Sequence, residues 1–152
     1  MGRQYFEQQG VRIQSLEVGD KFITKGKMVG RGAVDGWLTA IGLTAPHFLS
    51  DEHAQKYGFK CRVVPAPFTF SFTFTLLFES GILDEGLYMG TDKARFPIPV
   101  YAEDTLRSEL EVLDRRVTSK GDRVVIRYKW LCRNQRQEIV AEGENTCIFP
   151  VT

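Results

Sequence analysis

Two histidines and a pair of carboxylates near the middle of the sequence are the residues best suited to acid–base chemistry. His47 and His53 are the only histidines, and Asp51 and Glu52 lie between them. An imidazole and a carboxylate on one side of a substrate can take a proton from water and return one to carbon. We expect His47 to act as the base and Asp51 as the acid. The plainer alternatives are a structural loop histidine and carboxylates that favour a helix N-terminus.

Metal and nucleotide sites are not expected from this sequence. Neither histidine is spaced with a cysteine as metal ligands would be, and no glycine-rich phosphate-binding motif occurs. The three cysteines, Cys61, Cys132 and Cys147, are far apart and form no CxxC pair. An odd number of scattered cysteines is typical of reduced thiols. We therefore expect a cytoplasmic chain with no metal and no resident cofactor.

Length and composition predict one globular domain that covers residues 1–152. The chain is 43% hydrophobic and 26% charged, which excludes a disordered protein. Its 20 basic and 19 acidic residues nearly cancel, so a nucleic-acid partner is not expected. The longest uncharged run, Val63 to Phe78, contains Pro65 and Pro67 and is too short to span a bilayer. The start has no apolar signal-peptide region, and we expect no membrane association.

Local signals predict the helices around the candidate base. Val34 to Ile41 carries an apolar stripe at helical spacing. Ser50 is typical of a helix N-cap and Gly58 of the residue after a helix end, so a second helix is expected between them. Pro46 predicts a loop before that helix. Three further expectations are a surface course up to Asp20, a strand from Lys21 to Val29, and a strand from Cys61 to Val64.

The segment Phe68 to Phe78 fits two structures equally well. Phenylalanine alternates with threonine and serine from Phe68 to Thr75, which is the period of a strand. Yet Pro67 suits the first position of a helix, Gly81 suits the position after its end, and the run is long for a strand. A helix here would be apolar nearly all round and therefore buried. The residue pattern leaves helix and strand open.

From Leu87 onward the pattern predicts four antiparallel strands. The third, Arg123 to Arg133, alternates apolar with polar residues, so one of its faces is expected to be buried. Lys120 to Asp122 and Asn134 to Gln137 are typical hairpin turns. Such a sheet with one apolar helix packed on it is an α+β layer arrangement. The other predicted strands are Leu87 to Phe96, Thr105 to Val117 and Glu138 to Phe149.

Two segments resemble a known family. Arg95 to Leu106, RFPIPVYAEDTL, is similar to the RFxxPVxxGDTL signature of MaoC-like hydratases and dehydratases, with Glu103 in place of glycine. Leu49 to Phe59 resembles the HxDxxxA…GF segment of the same family. The resemblance implies the hot-dog fold, an antiparallel sheet wrapped around one long buried helix, and so favours a helix for Phe68 to Phe78. It also implies an edge-to-edge dimer that adds water to acyl thioesters, mostly of coenzyme A, or removes it.

The resemblance further indicates where the catalytic groups of the family would fall. Aligned without gaps, the Asp and His of its dyad fall on Thr44 and Leu49, and its oxyanion-donor glycine falls on Pro67, which has no N–H. Ala66 to Phe70 is most similar to the APxxF pattern of the type-I-synthase-like dehydratase half, which has no dyad of its own. We expect these three aligned positions to contact the substrate, together with Phe68, Thr69 and Arg62. Arg62 and Lys60 lie where a coenzyme A phosphate could dock.

Three functions remain open on this basis. The first is a hydratase or dehydratase of fatty acid metabolism, possessing His47 alone or serving as the dyad-poor subunit of a two-chain enzyme. The second is an acyl-thioester-binding or scaffold protein without catalysis. The third is a hot-dog thioesterase whose acid would be Asp35 or Glu79. The expected assembly is a homodimer, or a heterodimer with a catalytic hot-dog chain.

Overall fold

Seven strands form the sheet on which the rest of the chain is arranged. The computed structural model describes residues 2–151. The strands are β1 (Gln4–Phe6), β2 (Lys21–Ile23), β3 (Lys27–Met28), β4 (Leu87–Arg95), β5 (Thr105–Val117), β6 (Arg123–Arg133) and β7 (Ile139–Pro150). Their order across the sheet is β1, β2, β5, β6, β7 and β4, with β3 paired to β5. Strands β1 and β2 run parallel, and the other pairs run antiparallel. β1 and β4 are therefore the two edges.

Within the described residues, four α-helices and two short 3₁₀ turns accompany the strands. The helices are α1 (Arg31–Ile41), α2 (Pro46–Leu49), α3 (Asp51–Lys56) and α4 (Ala66–Glu79), and the turns are Glu7–Gln9 and Ile13–Ser15. Ser50 caps α3 as predicted, because its side chain accepts a hydrogen bond from the His53 N–H. Helix α1 contains the predicted segment Val34 to Ile41 and begins three residues before it.

Helix α4 settles the ambiguity over Phe68 to Phe78 in favour of the helix. Pro67, predicted at the first helical position, is the second residue of the helix, and a proline is tolerated in this first turn because no intrahelical N–H bond is lost. Two of its hydroxyls bond back one turn: Thr73 Oγ1 donates to the Thr69 carbonyl at 2.8 Å, and Thr75 Oγ1 donates to the Ser71 carbonyl at 2.9 Å. The predicted span from near Pro67 to near Ser80 is confirmed.

The sheet holds α4 through aromatic and polar contacts. Phe70 meets the Trp130 ring edge to face at a centroid distance of 5.4 Å, and Ser108 Oγ donates to the Thr73 carbonyl at 3.1 Å. Burying a phenylalanine side chain in such a position stabilises a fold by about 1.5–3 kcal/mol. Phe74 meets Tyr88 of the edge strand β4 at a centroid distance of 5.3 Å. The helix thus reaches the open edge of the sheet.

The C-terminal strands were predicted closely. β5 and β6 begin and end at the predicted residues, while β4 ends one residue early and β7 lies one residue later than expected. The alternation in β6 is also confirmed, because its apolar residues are buried: Val124, Ile126, Tyr128, Trp130 and Cys132. Together with residues of α1, α4, β2, β5 and β7, these residues form a hydrophobic core.

The loop-rich first part of the chain departs from prediction in four places. The strand expected over Lys21 to Val29 is interrupted and forms β2 and β3. Cys61 to Val64 is a loop and no strand, and Pro46 opens the short helix α2, because a proline at the first turn costs no hydrogen bond. The segment up to Asp20 is no mere surface course, since it contributes buried Ile13 and Leu16 to the core.

The predicted domain limits, residues 1 and 152, lie outside the described residues. Among the helices of residues 2–151, none combines the length and hydrophobicity that crossing a bilayer requires.

Candidate functional site

A cavity of about 780 Å³ lies beside the first turn of α4. Its size falls within the range of small-molecule sites in proteins. Most of its lining is apolar, with few polar groups. The lining residues come from α2, from the chain around α3, from the loop before α4 and from the segment after β4: His47, Phe48, Tyr57, Phe59, Val63, Val64, Ala66, Thr69, Phe96, Pro97, Ile98, Pro99 and Val100, with Val140 from β7.

Backbone hydrogen bonds hold the walls of this cavity together. The Val63 N–H donates to the His47 carbonyl at 3.2 Å, and the Val64 N–H donates to the Val100 carbonyl at 2.8 Å. The loop before α4 therefore joins helix α2 on one side to the segment 96–100 on the other. Because main-chain bonds fix the three segments, the side chains that face the cavity have defined positions.

His47, the predicted base, lines the cavity. Its ring packs against Phe48 at a centroid distance of 4.0 Å and lies 6.4 Å from the Tyr57 ring. Within residues 2–151 its imidazole makes no side-chain hydrogen bond, and no carboxylate belongs to the lining. A neutral imidazole in this position can accept a proton from a bound water.

The first turn of α4 forms another part of the cavity wall. Ala66 and Thr69 belong to the lining, and the predicted contact of Thr69 with substrate stays a prediction. Pro67 is exposed and outside the lining, and Phe68 is buried between Trp37 and Phe72 at centroid distances of 5.7 and 5.9 Å. Pro67 and Phe68 therefore both lie outside the cavity lining, and their predicted contact with substrate stays a prediction.

The predicted acid is engaged elsewhere. Asp51 Oδ1 accepts a hydrogen bond from the Arg62 N–H at 3.0 Å and does not line the cavity. The Arg62 side chain lies 2.7 Å from Asp35 Oδ1. Glu79, the other thioesterase candidate, pairs with Lys27 at 2.8 Å, far along α4 from the cavity. The catalytic role of Asp51 and the substrate-binding role of Arg62 stay predictions.

The two positions aligned with the family dyad are on the surface. Thr44 is exposed, Leu49 is also exposed, and neither belongs to the cavity lining. Of the predicted site residues, the structure therefore brings His47 and Thr69 to one cavity. Across residues 2–151 no cluster of three or more histidine, cysteine, aspartate or glutamate side chains is placed to hold a metal ion.

Sequence reasoning missed most of the apolar lining. Phe96 to Val100 lies inside the signature quoted above, and that signature was the available signal for its place at the site. No such signal exists for three of the valines, because a valine in a loop or strand is typical of an ordinary core residue: Val63, Val64 and Val140. Ala66 was quoted as part of a pattern but not as a site residue.

The chain matches a family model described as "FAS1-like, dehydratase domain region" over residues 17–143. Among solved structures, a MaoC-like dehydratase from Rhodospirillum rubrum shares 24% identity at TM-score 0.81, with 92% of this chain and 97% of that chain covered. An (R)-hydratase from A. caviae involved in PHA biosynthesis shares 23% at 0.71, covering 90% and 98%.

A third solved structure is a complex of two kinds of chain. The C-terminally truncated HadBC (3R-hydroxyacyl-ACP dehydratase) complex from Mycobacterium tuberculosis shares 21% identity at TM-score 0.71, with 86% and 96% covered. These likenesses show the hot-dog fold and confirm the predicted fold class. Among curated proteins no match was found.

Proposed function

The chain belongs to the FAS1-like dehydratase domain family, and from that premise we propose that it binds an acyl thioester in the cavity beside α4 and takes part in its hydration or dehydration. One observation carries the proposal: His47 and the first turn of α4 meet on an otherwise apolar cavity of about 780 Å³. The apolar walls suit an acyl chain, while the helix N-terminus favours the negative charge that develops on a thioester oxygen.

Hydration of an enoyl thioester requires two proton transfers. The oxygen of water bonds to the β-carbon while its proton passes to a base, and the electron pair of the carbon–carbon double bond moves toward the thioester oxygen. The resulting enolate then takes a proton at the α-carbon. His47 is the base in this proposal, because it is the imidazole that lines the cavity. Dehydration is the same sequence reversed.

A second acid–base group is needed, and we place it on a partner chain. No carboxylate belongs to the cavity lining within residues 2–151. Thr44 and Leu49, which align with the dyad, are exposed and chemically unable to relay a proton efficiently. A general acid or base contributes about 10²–10⁴-fold to rate. The chain alone is therefore a weak hydratase, and a second hot-dog chain supplies the other acid–base group, as the two-chain neighbour suggests.

The surface for that partner is the edge strand β4. Its first three residues, Leu87, Tyr88 and Met89, are exposed, and Phe78 of α4 is exposed nearby in the stack of Phe74 and Phe78. An edge strand with unpaired backbone groups and apolar side chains is a template for another strand. The other edge, β1, has three residues and offers a much shorter ladder.

Pure acyl-thioester binding is the second candidate function. The lack of a lining carboxylate within residues 2–151 favours it, because a cavity can hold an acyl chain without any proton relay. A thioesterase is not favoured, since Asp35 and Glu79 lie outside the lining and pair with Arg62 and Lys27.

The free cysteines, of which Cys132 and Cys147 are buried, suit a reducing compartment such as the cytoplasm.

The test is hydration of crotonyl-CoA by the purified chain and by its His47→Ala and His53→Ala variants. His53 is the matched control because it is the other histidine and does not line the cavity. We expect slow turnover that His47→Ala reduces by at least about 10²-fold and His53→Ala leaves unchanged.

The outcomes separate the candidates. Binding of the thioester without any turnover supports pure binding. Turnover that survives loss of His47 contradicts its role as base, and failure to bind crotonyl-CoA at all contradicts the proposed function.

A further inference from the structure

We propose that the Thr69 hydroxyl and the Ala66 N–H are the hydrogen-bond donors for the carbonyl oxygen of the acyl thioester. The inference deepens the proposed function and rests on it. It answers the question that Pro67 raises: a proline at the usual donor position has no N–H to offer.

Thr69 is a buried polar residue whose hydroxyl is unused. Its side chain and backbone are 2% exposed, and it lines the cavity. Its N–H donates to the Pro65 carbonyl at 3.1 Å, and its carbonyl accepts from Thr73 Oγ1 at 2.8 Å. Among residues 2–151 no partner is found for Thr69 Oγ1, although the Thr73 and Thr75 hydroxyls of α4 each have one.

The cavity is where that hydroxyl meets open space. In the part of the chain described, two polar side-chain atoms are buried from solvent and have no hydrogen-bond partner: Gln14 Oε1 and Arg107 Nε. Thr69 Oγ1 is not one of them, so solvent reaches it, and at this residue solvent space is the cavity. The hydrogen-bond partner of this hydroxyl is therefore whatever occupies the cavity, water or a bound ligand. A carbonyl oxygen in the cavity would satisfy it.

Ala66 adds a second donor beside it. As the first residue of α4 it lines the cavity, and its N–H makes no hydrogen bond within the described residues. The first N–H groups of a helix lack intrahelical acceptors and point along the positive end of the helix dipole. Two donors of this kind stabilise an oxygen on which negative charge develops.

The test compares two ligands that differ at the carbonyl. Butyryl-CoA carries the thioester oxygen, and S-butyl-CoA has a methylene in its place. Titration calorimetry on the full chain should give about 2–10-fold tighter binding of butyryl-CoA, the range of a neutral hydrogen bond. Thr69→Val removes the hydroxyl at constant shape and should reduce that preference to what the Ala66 N–H alone provides, whereas Thr69→Ser should keep it in full.

Thr73→Val is the matched control. Thr73 lies one turn further along α4 and is equally buried, but its hydroxyl already has a partner and it does not line the cavity. It should lower the thermal midpoint slightly and leave the ligand preference unchanged. Thr69→Val should not lower the midpoint, because the hydroxyl that it removes has no partner to lose.

Isotope-edited infrared spectroscopy gives a readout on the wild type alone. With ¹³C at the thioester carbonyl of butyryl-CoA, binding should shift the carbonyl band to lower wavenumber, and Thr69→Val should reverse part of the shift. If that variant does not fold, an unshifted band in the wild type still overturns the inference.

The remaining outcomes are decisive as well. Equal affinity of the wild type for both ligands, or an equal loss for both in Thr69→Val, overturns the donor role while leaving thioester binding intact. If neither ligand binds the wild type, the proposed function and this inference both fail.

Discussion

Arg62 Nη2 lies 2.7 Å from Asp35 Oδ1, which ties the loop before α4 to helix α1. The Arg62 side chain is 17% exposed, so the ion pair is partly shielded from water. The same guanidinium is the group that the sequence suggests for a coenzyme A phosphate. The pair therefore holds the cation in place and at the same time competes with a phosphate for it.

Asp35→Asn should release Arg62. We expect the free energy of unfolding to fall by about 0.5–1 kcal/mol, as for other partly exposed ion pairs. Butyryl-CoA should bind about 2–5-fold tighter at low salt, while butyryl-pantetheine, which lacks the nucleotide phosphates, should not change. Glu52→Gln is the control, because it removes the same charge from an exposed position next to the site. An equal gain in the control would assign the effect to net charge and not to Arg62.

Asn145 should be among the most sensitive buried positions. Its Oδ1 accepts from Trp130 Nε1 at 2.9 Å and from Thr91 Oγ1 at 2.6 Å, and its Nδ2 donates to Tyr128 Oη at 3.2 Å. Asn145→Leu leaves Trp130 Nε1 without a partner in the core and removes one bond each from Thr91 Oγ1 and Tyr128 Oη, and we expect a loss of about 2–4 kcal/mol. Urea unfolding with an unchanged m-value measures it.

Thr91→Val is the companion variant for Asn145. It removes one hydroxyl at the edge strand and should cost about 1 kcal/mol. A loss in Asn145→Leu no larger than in Thr91→Val would show that the network contributes little.

Met89→Asp should prevent association of the chain. Met89 is 63% exposed on β4, and a carboxylate there would lie in the apolar face that a partner strand covers. We expect the wild type to sediment as a dimer at micromolar concentration and the variant as a monomer. Met28→Asp is the control, since Met28 is 57% exposed on β3, away from that edge. A wild type that is monomeric under these conditions contradicts self-association through β4, and the edge is then tested with a different hot-dog chain as the partner.

Asp20 should make the fold sensitive to acid. Its carboxylate accepts hydrogen bonds from the N–H groups of Glu17 at 2.9 Å and Arg3 at 2.8 Å, and these bonds lower the pKa of Asp20. A lowered folded-state pKa stabilises the fold at every pH above the unfolded value of about 4. That stabilisation is lost as the pH falls through the folded-state pKa.

The thermal unfolding midpoint of the wild type should therefore decline between pH 6 and pH 3, roughly the range that spans these values. The decline should be shallower in Asp20→Asn. Glu138 and Glu144, whose pKa values are also lowered by hydrogen bonds, account for the decline that remains in the variant. Superimposable pH profiles of wild type and variant would contradict the role of Asp20.

Short-range physics made much of the fold readable from the sequence. Apolar residues at every second position from Arg123 to Arg133 fall on a single face only if the segment is a strand. Strand β6 occupies those residues. The cap at Ser50 depends on a side chain and an N–H three residues apart, and α3 begins there. Phe68 to Phe78 was ambiguous, because phenylalanines at every second position cover a helix as well as a strand. The family resemblance resolved it.

The candidate site depended on contacts between residues far apart in the chain. His47 was found from its chemistry, and Thr69 from its place in a motif. Their meeting in one cavity depends on the bonds from Val63 to His47 and from Val64 to Val100, which no local pattern encodes. The gapless alignment placed catalytic positions at Thr44 and Leu49, and both are on the surface. Periodicity and capping act within a few residues and so are legible in sequence, whereas a cavity is closed by long-range packing and is decided only when the whole chain folds.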